Sequence, residues 1–217
     1  RVIDYLNGLE DLKNRELRTV GQASQRFAED ALRMFRACRF ISQLGVTCDA
    51  EVFAAITEQL PRVSGLSMER VRAEINKLMK GEFVNLGLDA LVKSGLAAQS
   101  CRNRQEGKEI QIPILPELAA IVGVPQNPNF HSYDVWNHTL KAVSFGEKSL
   151  EVRWALLLHD IGKGQPSVRG FDAEGNPTDY GHEELSARMA EKILKRFQFS
   201  ANFVKRVVWL IANHMQL

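Results

Sequence analysis

All five histidines of this chain fall at or after position 131, and two stand in the runs Asn137-His138-Thr139 and Leu158-His159-Asp160-Ile161-Gly162-Lys163. The second run constrains the fold most. It closes a segment, 148–161, in which Leu150, Trp154, Leu157, Leu158 and Ile161 repeat near i, i+4 and i+7, the pattern of a buried helix ending at Gly162. An imidazole and a carboxylate in the last turn of such a helix are costly to desolvate unless other groups pair with both. Residues 133–145 supply a partner. They read as another helix carrying His138 between Val135 and Val143, and two helices joined by a short loop pack antiparallel, so His138 faces His159 and Asp160. Adjacent helical residues diverge by about 100°, which suits a metal gripped beside the helix end. Neutral imidazoles with a carboxylate are natural donors for a hydrolytic divalent metal. His138, His159 and Asp160 are therefore the expected ligands, with His159 and Asp160 as the catalytic pair, and their side chains should lie within about 5 Å of one point.

The other histidines are weighed against bland roles. His182, in Tyr180-Gly181-His182-Glu183-Glu184, and His214, in Ala212-Asn213-His214-Met215, are candidates for metal or phosphate contact, with orientation of the ligands as the alternative. His131, in the loop after Asn127-Pro128-Asn129-Phe130, reads as structural, as a lone histidine usually does. Lys163, just past the helix, is either a partner of the helix dipole or a phosphate ligand, and the dipole is the default. Residues 164–181 hold four glycines and two prolines. An irregular stretch of that length inside a compact domain is a candidate lid over the metal.

The rest of the chain reads as helical. At 217 residues and 45% hydrophobic there is room for one large or two small domains with a real core. No apolar run is long enough to span a membrane and no signal peptide opens the chain, so a cytoplasmic setting is the default. Cys38, Cys48 and Cys101 are odd in number and form no Cys-x-x-Cys pair, which argues against disulfides and structural zinc. Net charge is only +2, yet Arg15, Arg18, Arg26, Arg33, Arg36 and Arg39 crowd the first forty positions, and arginine suits phosphates and base edges. Residues 24–44 predict one helix, with Ser24 as N-cap and Gly45 as stop. On it Phe27, Ala31, Met34, Phe35, Cys38 and Ile41 form an apolar stripe, and Arg26, Asp30 and Arg33 recur at i, i+4 and i+7 on another face. Spacing alone makes that face a solvated set of salt bridges. Residues 51–60, 67–80, 83–93 and 202–216 also predict helices, residues 100–109 a charged loop, and the prolines between 113 and 128 a linker with a boundary near residue 122. The expected fold class is all-α.

Longer motifs carry two resemblances. Asn7-Gly8-Leu9-Glu10-Asp11-Leu12, Leu17-Arg18-Thr19-Val20, the run Arg26-Phe27-Ala28-Glu29-Asp30-Ala31-Leu32-Arg33-Met34-Phe35-Arg36-Ala37, then Arg39-Phe40 and Leu44-Gly45-Val46, resemble the end of the head and the neck of the bacterial tRNA nucleotidyltransferase and poly(A) polymerase family, the CCA-adding enzymes. Leu66-Ser67-Met68-Glu69-Arg70-Val71-Arg72-Ala73-Glu74-Ile75-Asn76-Lys77-Leu78 resembles the helix that follows there. His138 with His159-Asp160 resembles the HD phosphohydrolase superfamily, and many bacterial nucleotidyltransferases carry such a domain at the C-terminus.

These resemblances imply a domain plan: residues 1–22 a remnant of the head, 23–122 a helical neck and body binding nucleotide and RNA, and 123–217 the HD domain. Glu29, Asp30 and Arg33 are implied as the template that reads CTP and ATP, presenting donors and acceptors to the Watson–Crick edge. Arg18, Arg36 and Arg39 are implied to help with phosphates or to pack the template, and the implied RNA partner is tRNA. The HD likeness implies a divalent metal (Mg²⁺, Mn²⁺, Ni²⁺ or Zn²⁺), places His182 and His214 beside the extra histidines of two-metal members, and calls for a distant Asp that has no match before Leu217. Its implied substrates are phosphorylated or cyclic-phosphate nucleotides. Nucleotidyl transfer in the family uses an Asp-x-Asp motif, which this chain lacks; with Arg1 in place of methionine, the chain is expected to be a fragment without the transfer centre. Two other readings stay open: a freestanding HD nucleotidase or cyclic phosphodiesterase with scaffold helices, and a non-catalytic module that measures tRNA with its arginines. CCA, A-only, CC-only and poly(A) addition are not separated by these residues.

Overall fold

Helix-forming stripes dominate the chain, and the computed structural model, which describes residues 3–105 and 107–216, is mostly helical with only short strands. Its contacts separate into two units that divide between Ile114 and Leu115, earlier than the expected boundary near residue 122. The break falls there because Ile114 closes onto Gln99 through its amide, whereas Pro116 opens a helix whose Glu117 pairs with Arg196 of the second unit.

In the first unit α1 (Gly8–Asn14) buries no residue, and β1 (Glu16–Leu17) pairs in parallel with β2 (Thr47–Cys48). The expected single helix over 24–44 is two helices, α2 (Ala23–Glu29) and α3 (Leu32–Leu44). Asp30 breaks it. Its backbone is extended (φ −149°) and its Oδ1 accepts the Leu32 amide at 3.1 Å, the local competition by which short polar side chains end one helix and start the next. The N-cap is Gln22 without a side-chain bond, not Ser24, while Gly45 stops α3 in the left-handed region as expected. Then follow α4 (Ala50–Gln59), a 3₁₀ turn (Leu60–Gly65), α5 (Met68–Met79), which Ser67 caps, and α6 (Val84–Lys93). The core is α3 against α5 and α6, with Met34, Phe35, Cys38, Val71, Ile75, Leu78 and Leu88 buried. Gly87 allows the close approach, since a Cβ there would stand 2.8 Å from the Cys38 carbonyl oxygen. Burial pushes the Cys38 thiol up to about 12, and all three cysteines are free.

Residues 100–109 are not a loop. Ser100–Gln105 (β3) and Lys108–Pro113 (β4) pair antiparallel, turning at Gly107 with φ +80°. Cys101 and its cross-strand partner Ile112 lie on the inner face, an alternation that the surrounding charges mask.

The second unit holds α7 (Pro116–Ala120), α8 (Val135–Phe145), α9 (Leu150–Leu158), α10 (His182–Arg196) and α11 (Ala201–Asn213). Around α9 pack α8, α10 and α11. Trp154 of α9 is fully buried and meets Phe197 and Phe199 edge-on at 5.4 and 5.3 Å, so its truncation to alanine is expected to cost about 3–5 kcal/mol. Residues 164–181, expected to be irregular, contain a hairpin of β5 (Arg169–Phe171) and β6 (Pro177–Asp179). Its ends are pinned by Asp179, which accepts from Arg169 Nε at 3.0 Å and from the Gly164 amide at 2.8 Å. Among the described residues no helix is long and apolar enough to cross a membrane.

Candidate metal centre

The second unit brings four of its histidines onto one carboxylate. Asp134 caps α8 by accepting the Asn137 amide, which sets His138 in the first turn; Ser149 caps α9. His159 and Asp160 lie one step beyond the expected last helical turn, since α9 ends at Leu158 and His159 is its C-cap. Asp160 is 1% exposed. Its Oδ2 lies 3.2 Å from His159 Nε2 and 3.6 Å from His138 Nε2, and its Oδ1 lies 3.1 Å from His182 Nε2 and 3.7 Å from His214 Nε2. Each oxygen therefore serves a different pair of rings. Two sets result, His138-His159-Asp160 and Asp160-His182-His214, each with its donor atoms within 4.8 Å of one another.

Tautomers follow from the backing contacts. Nδ1 of His159, His182 and His214 lies 2.8, 2.8 and 2.7 Å from the carbonyls of Leu156, Asp179 and Ile211. A carbonyl only accepts, so these nitrogens carry the proton and the Nε2 lone pairs point inward. Nε2 of His138 and His159 then approach to 3.3 Å, as do those of His182 and His214. Where both Nδ1 atoms are backed, as in His182 and His214, lone pairs so close favour a cation between them. Neither Asp160 oxygen, both fully buried, receives a well-directed hydrogen bond, and a buried carboxylate in that condition is stabilised by a metal ion. The donor set suits Mn²⁺, Ni²⁺ or Zn²⁺ better than Mg²⁺, which prefers oxygen.

Charge agrees with this. Burial works to raise the Asp160 pKa, but the neighbouring His159 and His182 rings and the Lys163 ammonium outweigh it and hold the carboxyl well below its usual range. Burial pushes His138 down to about 4 and lowers His214 and His131, which favours the neutral imidazoles a metal needs. Lys163 is buried, with Nζ 2.9 Å from Asp160 Oδ2 and 2.7 Å from Gln126 Oε1, so its partner is the cluster and not the end of the helix dipole. His131, for which a structural role was expected, stacks edge-on against His138 with ring centroids 5.6 Å apart. It lines, with Lys163 and His182, a cavity of about 640 Å³. Its loop position gave no periodic signal; only its place before Tyr133-Asp134, the entry to α8, hinted at proximity. No second carboxylate joins either donor set among the described residues.

In the first unit Arg18, Arg33 and Arg36 line a second cavity, of about 430 Å³, together with Arg26 and Phe27. Glu29 is gripped by Arg33 Nη1 at 2.6 Å and Arg26 Nη1 at 3.0 Å; these bonds, Arg33 first, lower its pKa. Asp30 points elsewhere. The helix break takes it off the face shared by Arg26 and Arg33, and Arg70 holds it at 3.1 Å. Arg39 pairs with Glu74 at 2.7 Å and lies over the Phe40 ring, which packs it inside the helical layer.

Comparison with known proteins places both units. A model of the HD domain matches residues 130–217, and one described as the probable RNA- and SrmB-binding site of polymerase A matches residues 45–101. The chain is 31% identical to the A-adding tRNA nucleotidyltransferase of Deinococcus radiodurans over 99% of its own length and 48% of that protein, and 34% identical to the CCA-adding enzyme of Geobacillus stearothermophilus over 86% and 40%. It is similar to the crystal structure of the Bacillus stearothermophilus CCA-adding enzyme in complex with CTP, with a TM-score of 0.64 and 26% identity, over 99% of this chain and 42% of that one. The chain thus spans about half, or less, of the length of these relatives.

Proposed function

The chain belongs to the tRNA nucleotidyltransferase and poly(A) polymerase family, and from that premise we propose two roles for it, one in each unit. The second unit is a metal-dependent phosphohydrolase acting on phosphorylated or cyclic-phosphate nucleotides. The observation that carries this is Asp160, buried and without a directed hydrogen bond on either oxygen, facing four Nε2 atoms. Divalent cations bound there supply Lewis-acid activation of water and neutralise charge at phosphorus. The protein's own part is to hold the donors. Three carbonyls fix the rings of His159, His182 and His214, and Lys163 places an ammonium at the cavity floor where phosphate oxygens arrive.

The first unit serves nucleotide addition at tRNA 3′ ends in the cytoplasm, with CTP and ATP selected by Arg33 on the cavity wall. Glu29 orients Arg33 by the 2.6 Å ion pair, and Arg70 steadies Asp30. Arg18 and Arg36, lining the same cavity, face the phosphates, while Arg39 packs the template from behind. The likeness to the CTP complex supports this reading.

Metal analysis of the purified chain, with assays on a generic phosphomonoester and on 2′,3′-cyclic nucleotides, tests the first role. Retained Mn²⁺, Ni²⁺ or Zn²⁺ with chelator-sensitive hydrolysis is expected. Absence of both would leave a binding module.

A further inference from the structure

Beside the buried cluster, the rim of the second unit's cavity carries two aromatic rings that pack on little else. Phe130 is 80% exposed and Tyr180 85% exposed, and both line the cavity that contains Lys163, His131 and His182. Single exposed apolar residues need no explanation, but two aromatics at the mouth of one charged cavity are a different case.

Both rings stand on pinned backbone. The Phe130 amide donates to the Asn127 carbonyl at 3.1 Å, and Asn127 Nδ2 donates to Asp172 at 3.0 Å, so the turn is tied to the β5–β6 hairpin. Tyr180 lies between Asp179, held by Arg169 and the Gly164 amide, and Gly181, whose φ of +79° fixes the turn into α10. His182 follows two residues on, its Nδ1 against the Asp179 carbonyl. The spacing from ring to cluster is therefore set by the fold.

Meanwhile three polar side chains of that wall are already engaged. Gln126 accepts from Lys163 and donates to the Tyr133 carbonyl, Asp172 takes Asn127 and the amides of Glu174 and Asn176, and Asp179 takes Arg169 and Gly164. These three are committed within the protein and are not the groups that read a base edge.

We infer that Phe130 and Tyr180 form the base platform of the phosphohydrolase site: the phosphate end of a nucleotide lies at Lys163 and the histidine cluster, and the nucleobase stacks on the rim rings without hydrogen-bonded reading of its edge. This rests on the phosphohydrolase reading of the same site and adds its specificity. The cavity volume suits a ligand of nucleotide size. Stacking accepts any base because every base has a π-face, so purines outrank pyrimidines by ring area while adenine and guanine are treated alike.

The test compares ligands with and without a base. Equilibrium binding of adenosine, guanosine and cytidine 2′-monophosphates and of ribose phosphate to the whole chain in Mn²⁺ is measured by calorimetry, with hydrolysis followed separately. The expected wild-type order is AMP equal to GMP, then CMP, then ribose phosphate. Phe130→Ala and Tyr180→Ala should each cut the preference for AMP over ribose phosphate by about 5- to 100-fold, and Phe130→Tyr should restore it. Both side chains are mostly exposed, so unaltered melting of the variants checks the fold. An undiminished preference in the alanine variants, or a tenfold or larger discrimination between adenine and guanine, overturns the platform. Base-dependent binding lost in Phe130→Ala without hydrolysis of any ester keeps the platform and sinks the phosphohydrolase reading.

Discussion

Replacing Asp160 by asparagine removes one charge and almost no volume, which makes it the sharpest probe of the cluster. In the metal-free protein the loss leaves Lys163 buried without its carboxylate. Breaking a buried ion pair by removing one partner costs about 3–5 kcal/mol. Gln126 still accepts from Lys163 at 2.7 Å, so the lower figure applies, about 3 kcal/mol. For a unit of this size that lowers the melting temperature by roughly 12–24 °C. Adding Lys163→Met to Asp160→Asn removes the stranded ammonium and should recover part of the loss. Metal gives the second readout. At a concentration about a hundred times its dissociation constant, a cation that binds only the folded state stabilises by about 2.7 kcal/mol. Differential scanning calorimetry with Mn²⁺ or with chelator should show this gain in the wild type and none in Asp160→Asn, because both donor sets lose their shared ligand. An equal metal-dependent gain in both proteins would refute the assignment of Asp160 as the ligand, and an unchanged metal-free melting temperature would refute the pairing with Lys163.

Two further outcomes follow from the same geometry. His138 has a folded pKa of about 4 against 6.5 unfolded, so between these values the unfolded chain binds more protons; the stabilisation is complete above about pH 6.5 and is lost as pH falls toward 4. Urea titrations of the metal-free protein across that window should show stability rising with pH, with a shallower slope in His138→Asn. In a protein that joins this chain to a nucleotidyl-transfer centre, Arg33→Ala should lower CTP-over-UTP preference on a tRNA primer by roughly 5- to 150-fold, since unpaired polar groups of a misread base cost about 1–3 kcal/mol. Unaltered selectivity would reduce Arg33 to a partner of Glu29 in holding two helices together.

The parts legible in the sequence were those written in periodic apolar residues. The positions of α4, α5, α6, α8, α9 and α11 follow from their stripes and caps, and His138, His159 and Asp160 follow from two of those helices. Asp30 was misplaced because helical spacing cannot report a side chain that caps the next helix in place of continuing the last. The β3–β4 hairpin is not legible in the sequence because Arg102, Arg104, Lys108 and Glu109 mask a two-residue alternation with few inward side chains. His131 entered through tertiary packing alone, for a loop carries no period from which its direction could be read.

The division of Asp160 between two histidine pairs has a thermodynamic consequence. Two cations drawing on one carboxylate are linked: whatever factor the first imposes on the affinity of the second, the second imposes on the first. Both are positive and close, so the factor lies below one and loading proceeds in a tight step and a loose one. If both sets are loaded as the proposed function requires, chemistry that needs the loose ion would follow the free metal concentration around it. A single shared side chain would thereby make such a two-ion centre responsive to metal supply without any moving part.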